Sequence, residues 1–210
     1  VRHEAVGSRP DAAVPAQPTA CQETRFMKGV HMRAAGDGAL TLALHGDVGW
    51  DITPAGVTAA LKGAGKQPIT VSLHSYGGDA LAGVAIHNML ARHEGRKTVV
   101  IEGVAASAAS LIAMAGDRIV MPENAFLMIH EAWGGAMGDA EQMRGTADLL
   151  DSISAAYRST YAKRSGMDED EVAALMRAET WFTAAEAVAK GLATEEAEPA
   201  EIVASVNPDA

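Results

Sequence analysis

Hydrophobic and polar residues alternate along several short segments of the chain and repeat at helical spacing along others. The alternation is clearest where Ile69, Val71 and Leu73 are separated by polar residues, which predicts a strand with one buried face. Further strands are predicted at residues 41–45, 98–102, 118–121 and 126–130. Helices are predicted over residues 54–63, 79–95, 108–115, 139–164, 168–177 and 183–191.

The predicted strands and helices alternate along the first half of the ordered region. This order is typical of right-handed βαβ units, so the fold class is α/β with a mostly parallel sheet. Residues 1–37 contain scattered prolines and no sustained period, and we expect a flexible N-terminal arm there. A single domain is expected over residues 38–196, followed by an acidic C-terminal tail at residues 197–210 that frays from about Thr194.

Composition and charge narrow the classes of partner. The chain has 17 Lys and Arg against 27 Asp and Glu, a formal charge of −10 that disfavours binding to nucleic acid. A single cysteine, Cys21, leaves no internal disulfide and no cysteine-based metal site. The same lack of disulfides favours a reducing, cytoplasmic location. No apolar run is long enough to cross a bilayer, so we expect no membrane partner.

Ser107 lies at a predicted junction between a strand and a helix, and His130 lies at the end of a later apolar strand. A serine at such a junction with a histidine within reach is the arrangement that nucleophilic catalysis requires. Ser107 is therefore the candidate nucleophile and His130 the candidate base. Ser110, one turn further along the helix, is assigned to packing. The other histidines are weaker candidates, although His45 and His74 also end strands.

Gly77 and Gly78 follow a strand directly and precede Asp79, a predicted helix cap. Their backbone N–H groups could face a developing oxyanion, and together with Ser107 and His130 they indicate serine hydrolase chemistry. The group that would orient the histidine is left open by the residues, because several carboxylates compete. These carboxylates are Glu123, Glu131, Asp139, Asp148 and Glu179. Glu179 has one additional argument, its position between a helix and the Trp181-Phe182 segment.

Five motifs resemble those of the ClpP peptidases in order and approximate spacing. They are Ser75-Tyr-Gly-Gly78, Gly103-Val-Ala-Ala-Ser-Ala-Ala109, Met128-Ile-His130, Gly134-Gly-Ala-Met-Gly138 and Trp181-Phe-Thr-Ala-Ala-Glu-Ala187. In detail the chain is most similar to the ClpP-like proteases of phages and prophages, several of which act in head maturation. The resemblance implies a ClpP/crotonase-like fold with a protruding handle, formed by a strand and the long helix.

The resemblance also implies roles for individual residues. Ser107 would be the nucleophile, His130 the base and Glu179 the triad acid, where the family usually has Asp. The N–H groups of Gly78 and Ala108 would bind the oxyanion. Substrate would lie as an added strand beside Gly77 and the handle residues Gly134 and Gly135. Tyr76 replaces the proline of the family's Ser-Pro-Gly-Gly turn.

The implied activity is that of a serine endopeptidase, the ATP-independent core of a self-compartmentalised homo-oligomer of stacked rings. Its partners would be polypeptide substrates, with either an AAA+ unfoldase or capsid and scaffold proteins. The chemistry requires neither a metal nor an organic cofactor.

Three alternatives from other classes remain open at this stage. A crotonase-type acyl-CoA enzyme would share the fold and the stabilisation of an oxyanion by backbone N–H groups. A serine paired with a lysine, Lys66 or Lys97, would resemble signal-peptide-peptidase relatives. A non-catalytic ring or assembly subunit would bind capsid protein without cleaving it.

Overall fold

A computed structural model of the chain describes residues 28–34 and 39–198. Within these residues the chain forms eight strands and six helices. The strands are β1 (Gly29–Ala34), β2 (Leu40–His45), β3 (Ile69–Ser75), β4 (Lys97–Ala106), β5 (Arg118–Pro122), β6 (Phe126–Ile129), β7 (Thr180–Thr183) and β8 (Glu195–Ala197). The helices are α1 (Pro54–Ala64), α2 (Ala80–Ala91), α3 (Ala108–Ala113), α4 (Ala140–Ser165), α5 (Glu169–Arg177) and α6 (Ala184–Ala189).

The main sheet has the strand order β1-β2-β3-β4-β5-β8, with β6 beside β4 and β7 beside β6. Every pairing among β2, β3, β4, β5, β6 and β8 is parallel, whereas β1 and β7 run antiparallel to their neighbours. The α/β class and the mostly parallel sheet are therefore confirmed.

The alternation seen in the sequence separates the two faces of the sheet. Leu42, Leu44, Val71, Leu73 and Ile101 are fully buried on one face, where α1, α2 and α3 pack against one another. The intervening residues of β3 lie on the other face and are more exposed. Burial of this apolar face supplies the main driving force for folding.

Side-chain caps form at the starts of several of these helices. Thr53 caps α1 ahead of Pro54, and Asp79 caps α2 by accepting the N–H of Ala82. Capping boxes begin α4 at Asp139 and α6 at Thr183. These bonds satisfy backbone N–H groups that a helix leaves unpaired, so each helix begins where the sequence places it.

Strand β4 is longer than the predicted segment 98–102 and divides the sheet. Thr98 to Val100 pair with β5, and Val104 to Ala106 pair with β6. The second half of β4 therefore lies directly beside β6, the strand that His130 follows. The glycine at 103 lies between the two halves and does not end the strand.

Two terminal predictions require correction where the structure describes them. Gly29–Ala34, assigned from the sequence to the arm, forms β1 and pairs along its whole length with β2. Glu195–Ala197, placed in the region expected to fray, forms β8 on β5. Both strands are held by partners distant in the sequence, a contact that local patterns do not reveal. The rest of the predicted arm and tail, apart from Lys28 and Glu198, lies outside the described residues.

The long helix α4 has two different halves. Its buried residues, among them Tyr157 and Tyr161, belong to the second half, whereas nearly all of residues 140–150 are exposed. No helix in the described ranges is both long and apolar enough to span a bilayer.

Candidate active site

Ser107 lies at a sharp turn between β4 and α3. Its backbone has φ 56° and ψ −125°, a conformation that non-glycine residues seldom adopt. The side chain makes no capping bond to α3, although the residue occupies the capping position. The hydroxyl is instead available to the neighbouring strand. Strain of this kind at a strand-to-helix turn is typical of an exposed nucleophile.

His130 follows β6, and its ring meets Ser107 directly. Ser107 Oγ lies 2.7 Å from His130 Nε2, within hydrogen-bond distance. Two backbone features bring the residues together: Ala106 pairs with Met128, and the N–H of Ser107 donates to the carbonyl of Met128 at 3.0 Å. The structure thus unites the two residues that the sequence selected as nucleophile and base.

The surroundings of His130 favour its neutral form. Burial lowers the pKa of the imidazole below its ordinary value of 6.5, and the carboxylates of Glu179 and Glu131 only partly oppose this effect. A neutral imidazole is the form that can accept a proton from a hydroxyl. Near neutral pH the ring is therefore ready to act as a base.

Glu179 lies in the turn between α5 and β7, with a left-handed backbone of φ 49°. Ile129 pairs with Thr180, and one further step of this antiparallel register places His130 opposite Glu179. Both side chains line the same cleft. The described residues show no hydrogen bond between them, so Glu179 acts on His130 through its charge. Among the other candidate carboxylates, Asp139 caps α4.

The turn at Gly77 and Gly78 packs against Ser107. A Cβ at Gly77 would lie 2.7 Å from Ser107 Cβ and 3.0 Å from the nitrogen of Ala108, so only glycine fits there. Val48 fixes the turn from the other side, since its N–H donates to the Gly77 carbonyl and its carbonyl accepts the N–H of Asp79. Within the described residues, neither Gly78 N–H nor Ala108 N–H has an acceptor. Two unused donors therefore flank the Ser107 side chain.

A cleft of about 440 Å³ opens over these groups. Its walls combine the polar groups above with apolar and aromatic side chains from three segments, residues 76–80, residues 128–133 and Tyr157. The lining residues are Tyr76, Gly78, Ala80, Ser107, Met128, His130, Ala132, Trp133, Tyr157 and Glu179. Gly134 and Gly135 are exposed beside this cleft and do not line it.

The aromatic side chains that line the cleft were not predicted from the sequence. Tyr157 could have been found, because it lies on the apolar face of α4 and a buried tyrosine hydroxyl needs a partner. Its hydroxyl donates to the carbonyl of Ala80 at 2.9 Å, and burial raises the pKa of this phenol. Tyr76 and Trp133 are 68% and 81% exposed, and no periodic pattern selects them.

A second serine and histidine pair lies on the more exposed face of the sheet. The hydrogen bond between the two residues has the wrong direction for catalysis. Ser72 Oγ donates to Glu102 at 2.7 Å and lies 3.1 Å from His45 Nε2. Because the hydroxyl has only one proton, His45 must donate to Ser72 and cannot act there as its base.

The two lysines considered as bases lie at the opposite end of the strands from Ser107. Lys97 begins β4, ten residues before Ser107, and binds Asp117 and two backbone carbonyls. An extended strand of that length separates them by roughly 30 Å. Lys66 precedes β3 at the same end of the strands and pairs with Glu94. In the part of the chain that the structure describes, no three His, Cys, Asp or Glu side chains cluster closely enough to hold a metal ion.

Known proteins resemble this chain over most of the residues that the structure describes. The Clp protease family model matches residues 55–198, which is more than half of the chain. The chain is 33% identical over 129 residues to the ATP-dependent Clp protease proteolytic subunit 2 of Treponema denticola, covering 60% of this chain and 64% of that protein. It is 31% identical over 132 residues to the ATP-dependent Clp protease proteolytic subunit of Bacteroides fragilis, covering 61% and 63%.

A proteolytic subunit of the same name from Bacteroides thetaiotaomicron is 30% identical over 132 residues, covering 61% of this chain and 60% of that protein. The aligned segment thus spans less than two thirds of each of these relatives. The family match includes the Gly77-Gly78 turn, Ser107, His130 and Glu179. The chain belongs to the Clp protease family.

Proposed function

We propose that this protein is a serine endopeptidase in which Ser107 is the nucleophile, His130 the general base and Glu179 the triad acid. The observation that carries the proposal is the 2.7 Å approach of Ser107 Oγ to His130 Nε2. The strained turn at Ser107 and the unused N–H donors beside it support the same assignment. Family membership favours peptide bonds over acyl-CoA thioesters as the substrate.

The reaction proceeds in two steps. His130 takes the hydroxyl proton as Ser107 Oγ attacks the peptide carbonyl, and the N–H groups of Gly78 and Ala108 bind the oxyanion. The C–N bond breaks, and the proton passes from His130 to the leaving amine. His130 then takes a proton from water, which attacks the ester and regenerates the serine. The Glu179 charge stabilises the imidazolium formed in each step.

Substrate would bind in extended form beside Gly77 and the exposed segment at Gly134 and Gly135. Peptides add to exposed backbone through main-chain hydrogen bonds, with pockets selecting alternate side chains. Gly134 and Gly135 are exposed and have no side chains, which leaves their backbone accessible. Gly77 is buried, and its N–H and carbonyl already bond Ser75 and Val48. Tyr76 and Trp133 then offer apolar walls to a substrate side chain in the cleft.

The exposed first half of α4 supports assembly into a homo-oligomer of stacked rings. Met137, Met143 and Leu149 are 98%, 49% and 52% exposed on the handle formed by this half and the preceding segment. Large apolar side chains clustered on a protruding element are typical of a surface that another subunit covers. The proposed partner is a second copy of this chain.

Two kinds of macromolecular partner are proposed for the assembled peptidase. The relatives are named as ATP-dependent proteolytic subunits, which favours an AAA+ unfoldase that delivers substrate. The resemblance to phage and prophage enzymes favours capsid and scaffold proteins in head maturation. Cleavage of purified capsid or scaffold protein without ATP would support the second, and cleavage of a folded substrate only with an unfoldase and ATP the first.

The experiment compares wild type with Ser107→Ala, His130→Ala and Ser72→Ala. Fluorophosphonate labelling, hydrolysis of short peptides and of casein, and native mass are measured for each. Ser72→Ala is the matched control because it also removes a serine hydroxyl near a histidine. We expect labelling at Ser107 alone, loss of labelling and hydrolysis in the first two variants, and an unchanged oligomer throughout.

Three outcomes would contradict the proposal. Hydrolysis retained in Ser107→Ala would place the nucleophile elsewhere, and full activity in His130→Ala would exclude the proposed base. An assembled wild-type protein that is neither labelled nor active on any peptide would indicate the non-catalytic subunit.

A further inference from the structure

Ser110 links the backbone of Ser107 to the long helix α4. The Ser110 side chain is fully buried, with its Oγ 2.7 Å from the carbonyl oxygen of Ser107 and 2.9 Å from the hydroxyl of Tyr161. The Ser110 hydroxyl donates its one proton to the carbonyl, so Tyr161 donates to Ser110. Burial raises the pKa of Tyr161, and the phenol therefore keeps the proton that it donates.

This link acts on a strained residue. With φ 56°, Ser107 persists in its conformation only because its surroundings hold both adjoining peptide groups. The N–H of Ser107 is fixed by Met128 on β6. Its carbonyl accepts the N–H of Ser110 at 3.0 Å, the N–H of Leu111 at 3.4 Å and, at 2.7 Å, the Ser110 hydroxyl, which is the shortest of the three bonds. The hydroxyl is the side-chain contact that ties this carbonyl to the rest of the core.

We propose that Ser110 and Tyr161 are positioning residues, which hold the Ser107 carbonyl so that Ser107 Oγ stays aimed at His130 Nε2. The inference rests on the proposed function, since it assumes that Ser107 is the nucleophile. It gives Ser110 a role beyond the packing that its place in a small apolar helix predicts. Misplacement of a reacting atom by about 1 Å can cost on the order of 100-fold in rate.

The first test measures the rate of acylation of Ser107 by a fluorophosphonate in the assembled protein. Ser110→Ala removes the hydroxyl bond to the Ser107 carbonyl and leaves the two backbone N–H bonds in place. We expect acylation and kcat to fall about 10-fold to 100-fold while KM for a short peptide stays near its wild-type value. Tyr161→Phe leaves the Ser110 hydroxyl on the carbonyl, so its loss should be smaller.

Ser165→Ala is the matched control. Its hydroxyl also donates to a backbone carbonyl, that of Tyr161 at 2.8 Å, but it makes no bond to Ser107 or His130. We expect wild-type acylation in this variant. A loss equal to that of Ser110→Ala would mean that any loosening around Tyr161 slows the enzyme, and would overturn the specific role of Ser110.

The double variant Ser110→Ala with Tyr161→Phe separates positioning from stability. Ser110→Ala alone leaves the buried Tyr161 hydroxyl without an acceptor, which lowers the thermal midpoint. Removing that hydroxyl as well should restore much of the midpoint but not the acylation rate, because the Ser107 carbonyl still lacks its bond from the Ser110 hydroxyl. If acylation recovers together with the midpoint, the effect is one of packing and the inference is wrong.

Failure of the proposed function and failure of the positioning inference would give different results. If Ser107→Ala is still labelled at the wild-type rate, the proposed function fails whatever Ser110 does. If Ser107 is the labelled residue and Ser110→Ala is acylated as fast as wild type, the function stands and the positioning inference is overturned.

Discussion

The backbone N–H of Ser107 donates to the carbonyl of Met128 at 3.0 Å. This bond continues the pairing of β4 with β6 by one residue beyond Ala106 and Met128. The separation between the Ser107 turn and the end of β6 is thereby set by sheet geometry, which varies little. His130 lies only two residues after Met128, so its distance from Ser107 is defined by the sheet and not by a long loop.

Gly77→Ala should abolish activity through the oxyanion site. The new Cβ would lie 2.7 Å from Ser107 Cβ and 2.8 Å from the carbonyl oxygen of Ala106, at a backbone φ of 102°. The turn must shift, which moves the N–H of Gly78 away from the reacting carbonyl. Loss of one oxyanion donor typically costs about 100-fold or more in kcat, and we expect at least that loss in peptide hydrolysis.

Gly65→Ala provides the control for backbone strain. Gly65 also has a positive φ, 60°, but a Cβ there would meet nothing within 4 Å. We expect lower thermal stability with wild-type kcat. Equal losses of activity in both variants would show that strain, and not the contact with Ser107, is responsible.

The acid limb of the pH profile of kcat/KM should lie below pH 6.5. His130 must be neutral to accept the proton of Ser107, and burial lowers its pKa from the ordinary value of 6.5. Activity therefore rises with pH through this lowered pKa. Glu179→Gln removes a charge that raises the pKa, so the limb should move to still lower pH, while kcat falls about 10-fold or more because the imidazolium loses its counter-charge.

Glu131→Gln is the matched control for Glu179→Gln. Glu131 raises the pKa of His130 less than Glu179 does, and its side chain does not line the cleft. We expect the acid limb of kcat/KM to move to lower pH by a smaller amount than in Glu179→Gln. The maximal kcat should be unchanged. A limb that moves to higher pH in Glu179→Gln, or an equal loss of kcat in both variants, would exclude Glu179 as the triad acid.

Patterns in the sequence were sufficient to predict the parallel sheet and the pair Ser107 and His130. Alternation marks β3 because one of its faces is buried, and a serine at a strand-to-helix junction combined with a histidine at the end of a later strand is the arrangement that nucleophilic catalysis requires. By contrast, β1 and β8 depend on pairing with distant strands, and the register that places Glu179 opposite His130 depends on β7 lying beside β6.

The bond between Ser110 and Tyr161 joins residues 51 positions apart and could not be predicted from the sequence. Only part of it has a local signal. A serine in the first turn of a helix often bonds a backbone carbonyl three or four residues earlier, which is what Ser110 does with Ser107. The packing of α4 on α3 determines which tyrosine hydroxyl donates to Ser110, and this packing is a tertiary contact that local patterns do not show.

Trp133→Ala should weaken substrate binding more than it slows the chemistry. The indole lines the cleft and is 81% exposed, so it can bury apolar surface only when a peptide is bound. Loss of about 1.4 kcal/mol of such contact corresponds to a tenfold rise in KM, with kcat little changed. Trp50→Ala is the control, because Trp50 is similarly exposed, at 73%, but does not line the cleft. A fall in kcat with constant KM would exclude a binding role for Trp133.

Asp117→Asn should destabilise the protein at the start of β4, far from the active site. Lys97 is 7% exposed, and its ammonium lies 3.1 Å from Asp117 while its backbone N–H donates to the same carboxylate at 2.8 Å. Neutralising Asp117 leaves a buried charge bound only by the carbonyls of His93 and Gly95. Because Asp117 is itself half exposed and screened by water, we expect a loss of about 1–2 kcal/mol in the free energy of unfolding at pH 7.

The dependence of this loss on pH follows from the pKa of Asp117. Burial raises that pKa, but the hydrogen bonds and charge of Lys97 outweigh burial and lower it overall. The stabilisation is therefore complete above the unfolded value of about 3.9 and is lost as pH falls through the lower folded value. Urea unfolding of wild type and Asp117→Asn should differ at pH 7 and begin to converge as the pH falls below about 4. Glu94→Gln, which breaks the exposed pair with Lys66, should change the free energy of unfolding little at any pH. An equal effect of both substitutions would mean that burial of Lys97 does not determine the loss.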